Sequence, residues 1–164
     1  MERWNLAVVV GVPGVGKTSL CRRVSPSMGY HYINYGELML EIARKLQVAS
    51  TQDEMFKLTL DLQYQIWRKA AEHIKDRKDV LLDLHGLDRS QKGYLISLPL
   101  EVLKPQIIIL VETTYENIVN QRIFDKYRVR PVETYKNLKE EMRLLRTSMI
   151  VCSAMIGSYF VILK

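Results

Sequence analysis

A chain of 164 residues, 48% of them hydrophobic, suits one compact domain with an ordinary core. The net charge of +6 comes from cations scattered along the chain rather than gathered in a basic run, which suits polyphosphate substrates as readily as nucleic acid. No apolar run approaches the roughly 20 residues of a membrane span, and Met1-Glu2-Arg3-Trp4 has no signal-peptide pattern, so a soluble cytoplasmic protein is expected. Cys21 and Cys152 lack metal-ligand or redox spacing and read as reduced residues on helices.

The chain opens on an apolar run, Asn5 to Val10, that reads as a strand. Gly11-Val12-Pro13-Gly14-Val15-Gly16-Lys17-Thr18 follows and fits G-x-x-x-x-G-K-[ST], the phosphate-binding P-loop. Its glycines leave backbone N–H groups free to curl around an anion, and a helix over Thr18 to Val24 adds the positive end of its dipole. In such a loop Lys17 reaches the β- and γ-phosphates and the Thr18 hydroxyl ligates Mg²⁺. Ser25-Pro26-Ser27-Met28-Gly29 breaks the helix, and Tyr30 to Tyr35 reads as a short second strand. Beyond Gly36, the spacing of Leu38, Met39, Ile42 and Leu46 predicts a helix over Glu37 to Leu46. Thr51 and Glu54 form a capping-box pair, and Met55, Leu58, Leu62, Ile66, Ala70 and Ile74 trace the apolar stripe of one longer helix.

Asp79 to Gly86 reads as a strand buried on both faces, with Asp83 near its C-terminal end. Ligands of open α/β sheets bind beyond the carboxyl ends of the strands, so Asp83 is a candidate to hold Mg²⁺ through water; the alternative is a solvated strand-end aspartate. His85 is equally a structural histidine or a substrate contact. Leu87 to Pro99 is expected as a polar loop that touches ligand. Gln106 to Glu112 is another buried strand, and Thr113-Thr114-Tyr115-Glu116 starts a helix. Arg122, Lys126, Arg128 and Arg130 precede Pro131; the three arginines suit dispersal of transition-state charge on a phosphoryl group, against the alternative of a solvated cationic helix end. A last long helix carries Leu138, Met142, Leu145, Met149 and Cys152, and Tyr159 to Leu163 closes the chain as a strand. Alternating strands and helices predict an α/β fold: the three-layer sandwich of P-loop NTPases, a five-stranded parallel sheet flanked by helices on both faces. The two helices between the second and third strands exceed a simple crossover and suit the gripping of a second substrate.

These residues resemble the archaeal-type adenylate kinases, small P-loop nucleoside monophosphate kinases, along nearly the whole chain. The resemblance rests on the P-loop, on Ile33-Asn34-Tyr35-Gly36-Glu37-Leu38-Met39, and on Asp53-Glu54-Met55, Lys57-Leu58 and Gln63. It continues through Asp83-Leu84-His85, Lys92-Gly93-Tyr94-Leu95-Ile96-Ser97-Leu98-Pro99, and Asp125 before Arg128 and Arg130. It implies one P-loop kinase domain over 1–164, with 36–78 as an inserted acceptor-binding part and about 122–132 as a short lid. The implied reaction is reversible, Mg²⁺-dependent transfer of the γ-phosphoryl of ATP to AMP, giving two ADP. ATP would lie on Gly11, Val12, Pro13, Gly14, Val15, Gly16, Lys17, Thr18 and Ser19, with Arg122 against its base. AMP would lie among Tyr35, Gly36, Met39, Gln63, His85, Gly93, Tyr94 and Leu95. Lys17, Arg122, Arg128 and Arg130 would be the catalytic cations, Thr18 and Asp83 the metal ligands. Similarity to trimeric enzymes implies a homo-oligomer.

Two features depart from the family pattern. Phe56 stands where an arginine usually follows Glu-Met, which favours another acceptor as the alternative to AMP. The chain stops at Lys164, whereas relatives continue through a loop and a terminal helix, so an uncovered sheet edge and loose donor-base selectivity are expected. A third reading, from a different class, is a nucleotide-switched ATPase or binding factor in RNA or ribosome assembly.

Overall fold

The computed structural model describes residues 3–90, 93–124 and 134–164. In chain order these form β1 (Leu6–Val10), α1 (Lys17–Met28), β2 (His31–Asn34), α2 (Tyr35–Lys45), α3 (Gln52–Lys57) and α4 (Leu60–Ile74). The series continues with β3 (Val80–Asp83), β4 (Leu87–Ser90), β5 (Gly93–Ile96), β6 (Ile107–Val111), α5 (Tyr115–Phe124), α6 (Tyr135–Ile156) and β7 (Tyr159–Leu163). Five strands form the expected parallel sheet in the order β2-β3-β1-β6-β7.

Strand register divides the apolar side chains between two layers. Val8 pairs with Leu82 on one side and Ile108 on the other, so these three share a face. They pack in the main core with Ala70, Ala71 and Ile74 of α4 and Leu145 and Met149 of α6. Ala7, Val9, Leu81 and Ile107 point the opposite way and meet Cys21 and Val24 of α1. β1 is wholly buried because both its faces are covered, which is why an unbroken valine run suits it.

Four expectations need correction. α1 does not break at Ser25-Pro26 but runs to Met28: in a last turn proline removes only its own N–H bond, and Gly29, at φ 71, supplies the left-handed end. Tyr35 opens α2 rather than ending β2, because the Asn34 side chain accepts from the Glu37 N–H and caps the helix there. The longer helix over Thr51 to Ile74 is two, α3 and α4, since Leu58 and Thr59 are extended. The Thr51–Glu54 capping box is present, and the Gln63 amide donates to the carbonyls of Phe56 and Leu58 at 3.0 and 2.8 Å, satisfying acceptors that the break exposes. The polar loop Leu87 to Pro99 contains an antiparallel hairpin, β4 paired with β5 from Leu87↔Ile96 to Ser90↔Gly93. Its largely exposed strands lack the apolar alternation that marks a strand in sequence.

The segment between β2 and β3 has a core of its own. Ala43, Ala49, Met55 and Ile66 are buried together, with Leu58 and Leu62 packed against them. Met55→Ala is expected to destabilise the protein by about 2–4 kcal/mol, read by urea denaturation, because it removes the centre of that cluster.

Candidate active site

The P-loop turns at the carboxyl end of β1, and its glycines answer to specific neighbours. Gly14 has φ +89, and a Cβ there would meet Arg122 Cγ at 2.9 Å; Gly16 takes the left-handed conformation at the N-cap of α1. Val12 and Val15 point into the main core and anchor the loop, while Pro13, Gly14, Gly16, Lys17, Thr18 and Ser19 line a cavity. Lys17 is buried, and its ammonium donates to the carbonyls of Gly11 at 2.6 Å and Val12 at 3.2 Å. Arg122, near the end of α5, lies on the outside of the same loop and donates from Nε to the Pro13 carbonyl at 3.0 Å.

Asp83 ends β3 beside the loop, only 3% exposed. Three donors converge on its Oδ2: Thr18 Oγ1 at 2.6 Å, Tyr32 OH at 3.1 Å and Asn34 Nδ2 at 3.3 Å. The solvated strand-end alternative is thereby excluded for Asp83. A hydroxyl and a carboxylate facing each other at a phosphate loop are the hard oxygen donors that Mg²⁺ takes together with substrate phosphates. Among the described residues no cluster of three His, Cys, Asp or Glu side chains competes as a metal centre.

One cavity of about 1140 Å³ extends from the loop to the helices after β2 and to the hairpin. Of the candidate acceptor residues, Tyr35, Gly36, Met39, Gln63, His85 and Leu95 line it, whereas Gly93 and Tyr94 belong to β5 without reaching its wall. Tyr35 is buried, and its hydroxyl donates to the Trp67 carbonyl, bolting α2 to α4. His85 Nδ1 lies 3.3 Å from Asp88 Oδ1. Arg128 and Arg130, with most of the expected lid, lie outside the described residues. Sequence reasoning missed Tyr32 as a partner of Asp83 and missed Arg23, Asp61, Tyr64 and Trp67 on the cavity wall. For Tyr32 the sequence offered only that residues 32 and 34 share a strand face; its meeting with Asp83 follows from the pairing of Asn34 with Asp83 in the structure.

Burial also holds protons in place behind the site. It pushes the Cys21 thiol from its ordinary 9.0 to about 12, with Asp83 adding to the rise, and it raises the Tyr35 and Tyr32 hydroxyls. Each folded group binds its proton more tightly than the unfolded chain does. Their contribution to stability is therefore complete below the unfolded values and is lost as pH climbs from about 9 toward the folded ones. Urea midpoints are expected to fall between about pH 8 and about pH 10.5, less steeply in Cys21→Ala. Tyr32→Phe, which removes one donor to Asp83, is expected to lower stability at neutral pH by about 1 kcal/mol in the same assay.

A family model described as an AAA domain matches residues 10–139. The chain is 51% identical over 151 residues to an adenylate kinase homolog of Methanothermobacter thermautotrophicus, covering 92% of this chain and 79% of that protein. An adenylate kinase of Methanococcus aeolicus is 33% identical over 172 aligned positions, covering 98% of this chain and 89% of that one. Among solved structures, shikimate kinase from Acinetobacter baumannii in complex with shikimate superposes with a TM-score of 0.59 at 20% identity, covering 98% of this chain and 84% of that chain. A gluconokinase from Sinorhizobium meliloti gives 0.52 at 18% identity, with 95% and 96% covered. These two likenesses are of fold, that of the P-loop kinases. The sequence relationship, extending over most of both chains in each pair, is closer, and by it this chain belongs to the archaeal-type adenylate kinase family of phosphotransferases.

Proposed function

We propose that this chain is an adenylate kinase that reversibly transfers the γ-phosphoryl of ATP to AMP, giving two ADP. The observation that carries this reading is one continuous cavity, among the described residues, running from the P-loop to the wall built by α2, α3, α4 and the hairpin, which gives donor and acceptor a common site. A phosphate oxygen of AMP attacks the γ-phosphorus, and the bond from that phosphorus to the ADP oxygen breaks. No net proton moves, so positioning and charge neutralisation carry the chemistry.

The chain's own groups divide that work. Backbone N–H groups of Gly11 to Ser19 receive the ATP phosphates, and Lys17 exchanges its bonds to Gly11 and Val12 for the β- and γ-phosphate oxygens. Thr18 and Asp83 would hold Mg²⁺, which would supply positive charge to offset that of the ATP phosphates. Arg122 steadies the donor side of the loop, and Arg128 and Arg130 in a lid over about 122–132 meet the charge that spreads over the transferring group. The inserted part, 36–78, together with Tyr35, His85 and Leu95, surrounds the acceptor, and Gly93 and Tyr94 support Leu95 from within β5. Exclusion of water by closure favours transfer over hydrolysis. A second acceptor reading, another nucleoside monophosphate, is favoured by Phe56, whose exposed ring lines the cavity with no charge for a phosphate.

The deciding experiment is ADP formation from MgATP with each nucleoside monophosphate in turn, against a blank without acceptor. Turnover favouring AMP is expected, and Lys17→Ala should lower kcat by at least about a hundredfold with the fold intact by circular dichroism. Turnover favouring a different monophosphate would reassign the acceptor. Turnover no higher than the blank with every acceptor would remove the kinase reading.

A further inference from the structure

Ser97 stands just past β5, where the hairpin returns to the sheet. Its backbone N–H donates to the Gly86 carbonyl at 3.0 Å, fixing the residue beside the end of β3. Ser97 is 8% exposed and lines the cavity. Its Oγ is buried without a hydrogen-bond partner, the one such side-chain atom among the described residues. A buried hydroxyl left unpaired forfeits its hydration for nothing, so native structures seldom keep one without use. Nearby polar groups are engaged: the Gln63 amide caps α3, the His85 ring meets Asp88, and the Tyr64 hydroxyl reaches Glu101 at 3.3 Å. Ser97 thus belongs to the cavity wall while its hydroxyl, shut off from solvent in the free protein, has no partner, and a turn about χ1 would offer that hydroxyl to a bound molecule.

We infer that Ser97 is an acceptor-binding residue, whose hydroxyl hydrogen-bonds the nucleoside monophosphate and acquires a partner only when that ligand is present. The ligand class rests on the reading above, but the bond itself does not depend on turnover. Met39, Trp67, Leu95 and Ile96 make much of the surrounding wall apolar, which suits a flat base and gives one hydroxyl disproportionate weight in choosing among ligands. Ser97 thus determines specificity without taking part in the chemical step.

The test uses Ser97→Ala, a substitution that needs no extra space. Thermal unfolding of the free protein and calorimetric titration with AMP, the other nucleoside monophosphates and ATP are compared with wild type. The expected result pairs two opposite signs. The unfolding midpoint of the free protein stays level or rises because an unpaired buried hydroxyl has gone, while affinity for the preferred monophosphate falls about fivefold to thirtyfold. ATP affinity stays within about twofold. A lowered midpoint would make the hydroxyl structural and overturn the inference, as would unchanged monophosphate affinity or an equal loss for ATP. A wild-type protein that binds a monophosphate but forms no ADP would sink the adenylate kinase reading while leaving the Ser97 comparison decisive. Failure of every monophosphate to bind wild type would overturn both.

Discussion

A carboxylate with almost no access to water needs donors, and the position of Asp83 makes those donors come from two neighbouring elements. Thr18 belongs to the first turn of α1, Tyr32 and Asn34 to β2, and Asp83 to β3. Their convergence on one oxygen fixes the P-loop helix against the sheet at the point where the loop must hold its curvature. Asn34 serves twice, because its Oδ1 accepts from Glu37 and starts α2 while its Nδ2 reaches Asp83. The phosphate loop and the first helix of the opposite wall are thus referred to the same residue. The Arg22 guanidinium, above the Tyr32 ring and 3.4 Å from Glu37, strengthens that junction from its exposed side.

The wall facing the loop is built on different terms. Its three helices enclose a separate apolar cluster; Tyr35 of α2 and Ala70, Ala71 and Ile74 of α4 join them to the main core, and the Tyr35 hydroxyl ties α2 to α4. The Gln63 amide, spent on two main-chain carbonyls, keeps α3 and α4 at a fixed angle while its residue still borders the cavity. At the other end of the sheet, Glu112 receives a bidentate pair from Arg146 at 2.8 and 2.6 Å, tying the end of β6 to α6. That attachment keeps the far flank of the P-loop in register with the helix behind it.

What the sequence revealed follows the physics of each signal. The P-loop was legible because its spacing is set by backbone geometry, and β1 and β6 because strands covered on both faces must be apolar throughout. The hairpin was not, because its side chains face solvent and carry no alternation. The break at Leu58-Thr59 was masked by a true observation: Leu58 and Leu62 do join the buried stripe, but burial of a stripe does not require one uninterrupted helix. Tyr32 and Ser97 needed the third dimension. Their neighbours, Asp83 and Gly86, are distant in sequence and come close only through strand pairing and the return of the hairpin.

The bonds of Lys17 carry a consequence for how the protein lives in a salty medium. Its ammonium donates to two carbonyls of its own loop, so an anion that recruits it must first displace those bonds. Chloride or a lone sulfate would have to displace those carbonyls with few contacts to offer in return, whereas a triphosphate touches many backbone amides at once. Discrimination among anions then draws on the number of simultaneous contacts as well as on charge. A crowded ionic background, by this logic, competes poorly with the intended guest.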